Sequence, residues 1–504
     1  MTYAKFEAEI ARVNDLLSVV NLLSWDARTQ MPAGGVATRG QQVSTLTSMA
    51  RDLATGDAMT AAIASARDEV GCSTNDLRLR ALDQAEAEIG VLSRIPGALI
   101  AEVAELKTVA HAAWADARAK NDFSAYAPVL ERMFAMQRQI AEAIGYAQHP
   151  YDAMLGLYEP GMTLAQLRGV LDPLKAALVP LIERALSVPP PRQDFLARSF
   201  PIAAQKTFGL NIAEKFGYDL NRGRLDDTVH PFEISFTRND VRITSRFREG
   251  WLPGGFFALW HEAGHGIYEQ NVAPEFTRSI FATDIVNLYA VGGASFGMHE
   301  SQSRLWENRV GRSQRFWDLH YGELRDTFPD QLADVTAHEF WRSVNAVRPD
   351  FIRVEADELT YDLHIILRSE IEAGLMAGEV RVKDLPGLWA EKMQAYLGRE
   401  VPSDTLGVLQ DVHWSHGYVG SFPTYTLGNI MSSQFFDAAN RRPEIAAGLD
   451  TGNYAPLKDF LTDNIYRHGR SSSPDETLQR VTGGPLDAAP YVRQLTEKVA
   501  ALTR

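Results

Sequence analysis

Two histidines four residues apart, His261 and His265, flank a glutamate, Glu262, in the pattern HEAGH near the middle of the chain. Residues i and i+4 of an α-helix lie on one face, so both imidazoles can approach a single ion. Two histidines and one carboxylate leave one position of a tetrahedral zinc ion open for water, whose pKa the ion lowers to about 7. Glu262 can take a proton from that water as it attacks a peptide carbonyl, and can pass the proton to the leaving amine. The pattern predicts a zinc hydrolase site.

The predicted metal site needs a third ligand. Glu300 lies 35 residues after His265, in a second predicted helix (GMHESQSRLWENRV) that a connecting loop could bring back to the first. Asp284 and Glu269 compete with it on spacing alone, although Glu269 lies one turn past His265 on the same helix rather than on a facing one. Taken by themselves, the residues leave the choice among these three carboxylates open.

The segments that must position these residues are predicted to be mainly helical. Apolar side chains recur at three- and four-residue steps, as on the buried face of a helix, in residues 6–20, 79–92, 101–119, 126–144, 164–186, 212–216, 359–367 and 486–502. Residues 228–247 instead alternate apolar and polar side chains around Asn239-Asp240, which is typical of a hairpin. We therefore predict a mainly α fold with a small antiparallel β-sheet at about residues 228–248. No linker divides the chain, so a single unit over residues 1–504 is expected.

The composition excludes several classes of protein. The chain has 504 residues, of which 45% are hydrophobic and 23% are charged, as in soluble globular proteins. Its 50 basic and 64 acidic residues give a net charge of −14, which disfavours binding to nucleic acid or to anionic membranes. The one cysteine, Cys72, can form no internal disulfide and excludes a Cys-rich metal site.

The location of the protein is expected to be cytoplasmic. The first seven residues, MTYAKFE, lack a basic region followed by an apolar run, so they do not resemble a signal peptide. No stretch approaches 18 apolar residues without charges, so no membrane span is expected.

Together with further motifs, these residues resemble the M32 family of metallocarboxypeptidases, of the thermostable carboxypeptidase Taq type. Six motifs occur in order: HPF at 230–232, DVRIT at 240–244, HEAGH at 261–265, HESQ at 299–302, IRVEAD at 352–357 and GVLQDVHW at 407–414. Two N-terminal groups also match, namely SWD at 24–26 with MP at 31–32, and YD at 151–152 with YEPG at 158–161. The resemblance covers nearly the whole chain.

The resemblance implies a large helical metallopeptidase fold with a deep active-site groove, residues 1–225 forming one wall and residues 226–504 the catalytic region. It implies a zinc enzyme that releases single amino acids from peptides with a free C-terminus, usually as a homodimer. His261, His265 and Glu300 would be the ligands and Glu262 the general base. Co²⁺ or Mn²⁺ could replace zinc, because this ligand set defines geometry better than metal identity.

Two other functions compete with this hypothesis. An endopeptidase or dipeptidyl carboxypeptidase could share the helical groove, but it would lack an anchor for the terminal carboxylate. An inactive peptide-binding protein could retain the fold, but the intact general base, Glu262, argues against it.

A carboxypeptidase must bind the free carboxylate of its substrate, and two arginines in family motifs are candidates. A planar guanidinium donates two parallel hydrogen bonds to a carboxylate. Arg353 and Arg242 are both suited to this role, although each could instead form a structural ion pair, for instance with Asp240 or Glu355.

Other polar residues could contact the substrate or stabilise the oxyanion. His230 and His413 are candidate hydrogen-bond donors. Members of the family often carry a tyrosine where this chain has Ser421, and Tyr425 or Tyr418 could serve instead. His299 is expected to point away from the metal if its neighbour Glu300 points toward it. The stretch between His265 and Glu300, including residues 281–291, also looks longer than is usual in the family.

Overall fold

Helices form most of the protein, as the apolar periodicity predicts. The computed structural model describes residues 2–71 and 76–504, so Met1 and the sole cysteine, Cys72, lie outside the described residues. Within these ranges the α-helices are α1 (Thr2–Thr29), α2 (Val36–Thr55), α3 (Asp57–Val70), α4 (Leu77–Arg94), α5 (Gly97–Lys120), α6 (Phe123–Ile144), α7 (Pro150–Gly156), α8 (Leu164–Leu186), α9 (Ile202–Phe216), α10 (Leu252–Gln270), α11 (Phe296–Arg304), α12 (Gln314–Thr327), α13 (Ala337–Val344), α14 (Glu358–Ala377), α15 (Leu385–Leu397), α16 (Pro423–Asn440), α17 (Pro443–Thr451), α18 (Ala455–Asn464), α19 (Pro474–Thr482) and α20 (Ala489–Leu502).

The small sheet is present but is mixed rather than wholly antiparallel. The strands of the described residues are β1 (Gly223–Asp227), β2 (Glu233–Thr237), β3 (Asp240–Ser245), β4 (Thr283–Asp284) and β5 (Tyr289–Ala290). The predicted hairpin is the antiparallel pair β2–β3. Strand β1 adds to β3 in parallel, giving the order β1-β3-β2. Its sequence, GRLDD, lacks the alternation of apolar and polar side chains that identifies a strand, so pattern alone does not predict it.

The chain divides into two compact units, each assembled from separate stretches of sequence. Unit 1 comprises Met1–Ser93, Arg192–Val344 and Met431–Pro485, and unit 2 comprises Arg94–Pro191, Asn345–Ile430 and Leu486–Arg504. The assignment of residues 1–225 to one wall of a groove stays a prediction. In the described part of the chain, no helix has both the length and the apolar character needed to cross a membrane.

The core of unit 1 surrounds helix α10. Trp260 is completely buried, and its indole nitrogen donates a hydrogen bond to the carbonyl of Gly209 in α9 at 3.0 Å. The rings of Phe216, Phe256 and Phe316 lie within 5.0–5.9 Å of the Trp260 ring, between centroids. Aromatic packing of this kind fixes the rotation of α10 about its axis, and therefore the direction in which its opposite face points.

Candidate active site

Helix α10 presents the two histidines of the HEAGH pattern on one face. It begins after Trp251 with Pro253 in its first turn, where proline costs no backbone hydrogen bond. The rings of His261 and His265 lie 5.0 Å apart between centroids, nearly perpendicular to each other. The one-turn spacing of the sequence thus brings both imidazoles to the same place, as the pattern predicts.

Glu300 reaches these histidines from helix α11, because α10 and α11 pack unusually closely at Gly264. A Cβ atom added to Gly264 would lie 2.6 Å from both the carbonyl oxygen of Gln302 and Cα of Ser303, so only glycine permits this approach. The Glu300 Oε2 atom lies 3.4 Å from Nε2 of His261 and 3.3 Å from Nε2 of His265.

The two distances from Glu300 have the spacing of ligands around a tetrahedral ion. Bonds of 2.0–2.2 Å at tetrahedral angles separate neighbouring ligand atoms by roughly 3.3 Å. The two distances from Glu300 match that value, and the donor set of two imidazoles and one carboxylate is typical of catalytic zinc. The residues therefore fit a zinc ion, or a similar divalent ion, between α10 and α11.

The other ring nitrogen of His261 is held by Glu307. Its Oε2 atom lies 3.0 Å from Nδ1 of His261. Arg312 donates hydrogen bonds to Glu307 at 3.2 and 3.0 Å, and Arg304 reaches it at 3.5 Å. Glu307 lies in a π-helical turn, Leu305–Gly311, that continues α11, and such turns are frequent at functional sites. A carboxylate behind a ligating histidine orients the ring, and Glu307 lies outside the six ordered motifs of the sequence.

His299 contacts the outer ring nitrogen of His265. The two Nδ1 atoms lie 2.6 Å apart, while Nε2 of His265 faces Glu300. His299 therefore lies behind the histidine rather than among the three converging ligand atoms.

The two competing carboxylates are engaged elsewhere. Glu269 accepts hydrogen bonds from the backbone N–H of Gly292 and from the hydroxyl of Ser235. Asp284 forms an ion pair with Arg470 at 3.4 Å.

Glu262 also borders the histidines. Its carboxylate and one ring nitrogen of each histidine lie within 4.8 Å of one another, and the side chain is buried. Burial raises the pKa of Glu262 to about 7. A carboxyl group with a pKa near neutrality can both accept and return a proton at physiological pH.

The charges around His261 favour a cation between the histidines and Glu300. Burial opposes protonation of His261, but the charge of Glu300 and the hydrogen bonds that Glu300 and Glu307 accept from this ring raise its pKa to about 10. Burial would raise the pKa of Glu300, but Arg304 and His261 hold it well below its usual value. Burial lowers the pKa of His265 to about 3, which leaves this imidazole neutral, as a ligand must be.

A second polar cluster lies in unit 2 and joins two of the sequence motifs. The guanidinium of Arg353 donates to Asp411 at 3.0 Å and to the hydroxyl of Tyr361 at 3.1 Å. Arg368 binds the same carboxylate at 2.7 Å. The backbone N–H of Arg353 also donates to the side chain of Gln410 at 2.9 Å, so IRVEAD and GVLQDVHW meet here. Arg368 lies outside the six ordered motifs, so no sequence pattern marks it as a candidate.

His413 and Tyr425 belong to the same cluster. Nε2 of His413 lies 3.3 Å from the Tyr425 hydroxyl, and its ring stacks on Phe422 with 4.4 Å between centroids. Burial and the neighbouring Arg353 lower the pKa of His413 to about 3, so its imidazole is neutral.

The remaining two candidates lie in unit 1. Arg242 donates two hydrogen bonds to Asp240, both of 2.9 Å, and its guanidinium lies 4.3 Å from the centre of the Trp25 ring. His230 is exposed in the loop between β1 and β2. The structure therefore brings His261, Glu262, His265 and Glu300 together in unit 1, and Arg353, His413 and Tyr425 together in unit 2.

Nearly the whole chain is similar to known proteins. The family model described as carboxypeptidase Taq (M32) metallopeptidase matches residues 5–499. Carboxypeptidase 1 of Bacillus subtilis is 37% identical over 504 residues, covering 99% of each chain. Thermostable carboxypeptidase 1 of Thermus thermophilus is 37% identical over 503 residues, covering 97% of this chain and 96% of that protein.

Solved structures show the same fold. The M32 carboxypeptidase from Deinococcus radiodurans matches with a TM-score of 0.94 and 37% identity over 100% of this chain and 99% of its own. A Pyrococcus furiosus carboxypeptidase matches with a TM-score of 0.93 and 32% identity over 99% of both chains. This chain belongs to the M32, or carboxypeptidase Taq, family of metallocarboxypeptidases, which are peptide hydrolases.

Proposed function

We propose that this protein is a zinc-dependent carboxypeptidase that hydrolyses the last peptide bond of its substrates and releases single amino acids. The observation that carries the proposal is the convergence of His261 Nε2, His265 Nε2 and Glu300 Oε2 at ligand spacing. We assign these three residues as ligands because Oε2 of Glu300 lies 3.3–3.4 Å from both nitrogens, while Arg304 donates to Oε1 of the same carboxylate at 2.7 Å. Co²⁺ and Mn²⁺ are alternative ions for the same donors.

Glu262 is the proposed general base. A zinc ion held by the three ligands would polarise the scissile carbonyl and lower the pKa of a nearby water molecule to about 7. Glu262 accepts a proton from the attacking water and returns it to the nitrogen of the departing amino acid. Its burial supports this role, because a desolvated carboxyl with a pKa of about 7 is matched to proton transfer at neutral pH.

The cluster around Arg353 is the proposed anchor for the substrate carboxylate. Arg353 and Arg368 are both buried and share one carboxylate, Asp411; among the described residues, no second carboxylate lies at ion-pair distance from either arginine. Burial lowers the pKa of Arg368 to about 10, in keeping with a positive charge that is only partly balanced. A second anion would balance that charge, and the C-terminal carboxylate of a peptide is such an anion.

Arg242, His230, His413 and Tyr425 remain proposed substrate-binding residues with different degrees of support. Arg242 already pairs with Asp240 through two hydrogen bonds, which favours Arg353 over Arg242 as the anchor. His413 and Tyr425 adjoin Arg353, so either could donate a hydrogen bond to a bound peptide. A homodimer in the cytoplasm, which the family resemblance suggests, also belongs to this proposal.

The decisive experiment compares an unblocked peptide with its C-terminally amidated twin. The wild-type protein, Glu262→Gln and the exposed control Glu214→Gln on α9 are incubated with each peptide, with and without a chelator. We expect stepwise loss of single residues from the free-acid peptide only, abolished in Glu262→Gln and by chelator and retained in Glu214→Gln. Internal cleavage of both peptides would identify an endopeptidase instead. Metal binding without cleavage of either peptide would indicate a peptide-binding protein.

A further inference from the structure

A hydrogen-bonded chain of three side chains, Glu269–His299–His265, extends outward from the proposed metal site within unit 1. The Oε1 atom of Glu269 lies 3.0 Å from Nε2 of His299, and Nδ1 of His299 lies 2.6 Å from Nδ1 of His265. Nε2 of His265 faces Glu300 at 3.3 Å. Two hydrogen bonds thus connect the buried carboxylate of Glu269 to the imidazole of His265, whose Nε2 would bind the ion.

The positions of the protons on His265 and His299 follow from the groups at the two ends of this series of hydrogen bonds, the ion and Glu269. A neutral histidine that ligates through Nε2 carries its hydrogen on Nδ1. The Nδ1–H of His265 must then donate to Nδ1 of His299, which can accept only if His299 carries its own hydrogen on Nε2. That hydrogen points at Glu269, which accepts it. The opposite tautomer of His299 would donate to His265 and would place a hydrogen on the nitrogen that faces the ion.

Glu269 is held as an acceptor by its other partners. The backbone N–H of Gly292 donates to both of its oxygens, at 3.0 and 2.9 Å, and the hydroxyl of Ser235 donates to Oε2 at 3.3 Å. Each of these contacts comes from a donor, so both oxygens of Glu269 act as acceptors toward Gly292 and Ser235. As an acceptor, Glu269 favours the order in which His265 donates to His299 and His299 donates to Glu269.

The ring of His299 is also confined on its faces and edge. Tyr268 stacks on it with 5.3 Å between centroids and an angle of 18°. A Cβ atom on Gly293 would lie only 2.4 Å from Cδ2 of His299, so glycine is needed to leave room for the ring. Gly292 and Gly293 thus bring the backbone of the stretch between His265 and Glu300 close to Glu269 and His299.

We propose that Glu269 is a positioning residue that acts through His299 to hold His265 in its metal-binding tautomer. The inference rests on the proposed assignment of His265 as a ligand. Partners of this kind behind ligating histidines contribute about 10–100-fold to metal affinity. Glu269 therefore contributes to metal binding although it contacts no ligand atom, and its contribution passes through one intermediate ring.

The test is a double-mutant cycle on metal affinity. The dissociation constants of Zn²⁺ and Co²⁺ are measured by competition with a chromophoric chelator, for the wild-type protein, Glu269→Gln, His299→Phe and the double variant. The visible spectrum of bound Co²⁺ reports the coordination geometry in each. Unfolding of the metal-free proteins shows whether each variant is folded, and Glu214→Gln serves as a remote control for the loss of one carboxylate.

We expect Glu269→Gln to weaken Zn²⁺ binding by about 10–100-fold in the wild-type background. In the His299→Phe background the same substitution should cause little further loss, since the intermediate ring is gone. An unchanged affinity in Glu269→Gln, or an equal loss in both backgrounds, would overturn the inference. If Glu269→Gln does not fold, a native affinity in His299→Phe would overturn it, and a loss of similar size would support it. Failure of the wild-type protein to bind either ion would instead refute the proposed metal centre.

Discussion

At the scale of single residues, the proposed binding of the substrate carboxylate depends on which arginine charges are balanced by a carboxylate of the protein and which are not. Arg242 donates two hydrogen bonds to Asp240, whereas Arg353 and Arg368 share the single carboxylate of Asp411. Burying a cation is costly unless an anion accompanies it, so an incompletely balanced pair retains affinity for one more anion. This difference distinguishes two arginines that the motifs alone present as equal candidates.

The first prediction concerns Arg353→Lys, which keeps the charge but loses the planar fork of donors. We expect kcat/KM on free-acid peptides to fall about 10–100-fold, because hydrogen bonds to charged groups contribute roughly 1.5–3 kcal/mol. Steady-state kinetics on a series of peptides measures the effect, and Arg242→Lys is the matched comparison. A larger loss in Arg242→Lys than in Arg353→Lys would transfer the anchoring role to Arg242.

At the scale of secondary-structure elements, the metal site depends on the close contact between α10 and α11. Gly264 is in contact with the backbone of residues 302–303, and this contact brings Glu300 to the two histidines. The two helices act as one scaffold, and the glycine sets their separation. Errors of about 1 Å in ligand position are enough to spoil such a site.

Gly264→Ala should therefore separate the two helices. We expect a loss of about 1–3 kcal/mol in the free energy of unfolding, typical of overpacking, together with weaker Zn²⁺ binding. Gly90→Ala on α4 is the control, because a Cβ atom there would meet nothing within 4 Å. In that control, the lower entropy of the unfolded chain should leave stability unchanged or raised by up to about 1 kcal/mol. Denaturant unfolding and chelator competition measure both quantities, and equal effects of the two substitutions would contradict the packing argument.

Helix α14 in unit 2 carries a carboxyl group whose burial makes stability depend on pH. Glu372 accepts hydrogen bonds from Tyr151, Trp414 and Gly420, yet burial raises its pKa from 4.5 to about 7. The folded state therefore binds more protons than the unfolded state between these values. Stability contributed by this group is present at low pH and is lost as the pH rises from 4.5 to about 7.

The corresponding prediction is that Glu372→Gln removes this part of the pH dependence. The free energy of unfolding of the wild-type protein, relative to the variant, should fall as the pH rises through that window. Denaturant titrations at several pH values, with chelator present throughout, measure the difference. A difference that is constant with pH, or that grows in favour of the wild-type protein, would contradict the prediction.

At the scale of the whole molecule, metal binding should be linked to folding. The proposed ligands come from two helices of unit 1 and meet only when that unit is folded, so the unfolded chain has no preformed site. An ion that binds only the folded state at 100 times its dissociation constant stabilises that state by about 2.7 kcal/mol.

We therefore predict that Zn²⁺ raises the unfolding temperature of the wild-type protein and that a chelator reverses the effect. Glu300→Gln should show a much smaller increase, because one ligand is weakened. Glu262→Gln should keep the full increase although it loses activity, since a general base is not a ligand. Differential scanning calorimetry with and without Zn²⁺ measures all three, and a missing increase in Glu262→Gln would make Glu262 a ligand.

The sequence by itself determined the features that depend on local spacing. A one-turn repeat identifies His261 and His265 on one helical face, and alternation around Asn239 predicts the hairpin β2–β3. A three- and four-residue period predicts eight of the twenty helices of the described residues, namely α1, α4, α5, α6, α8, α9, α14 and α20. Ordered motifs also identify the family. In each case neighbouring residues carry the whole signal.

Only the tertiary structure decided which distant residues meet. It brought Glu300 close to Nε2 of both histidines, placed Glu307 and His299 behind the two histidines, and paired both Arg353 and Arg368 with Asp411. It also added β1 to the sheet in parallel. No periodic pattern encodes such contacts, because residues 18–58 positions apart meet only through the packing of whole helices and strands and the glycines that permit their close approach.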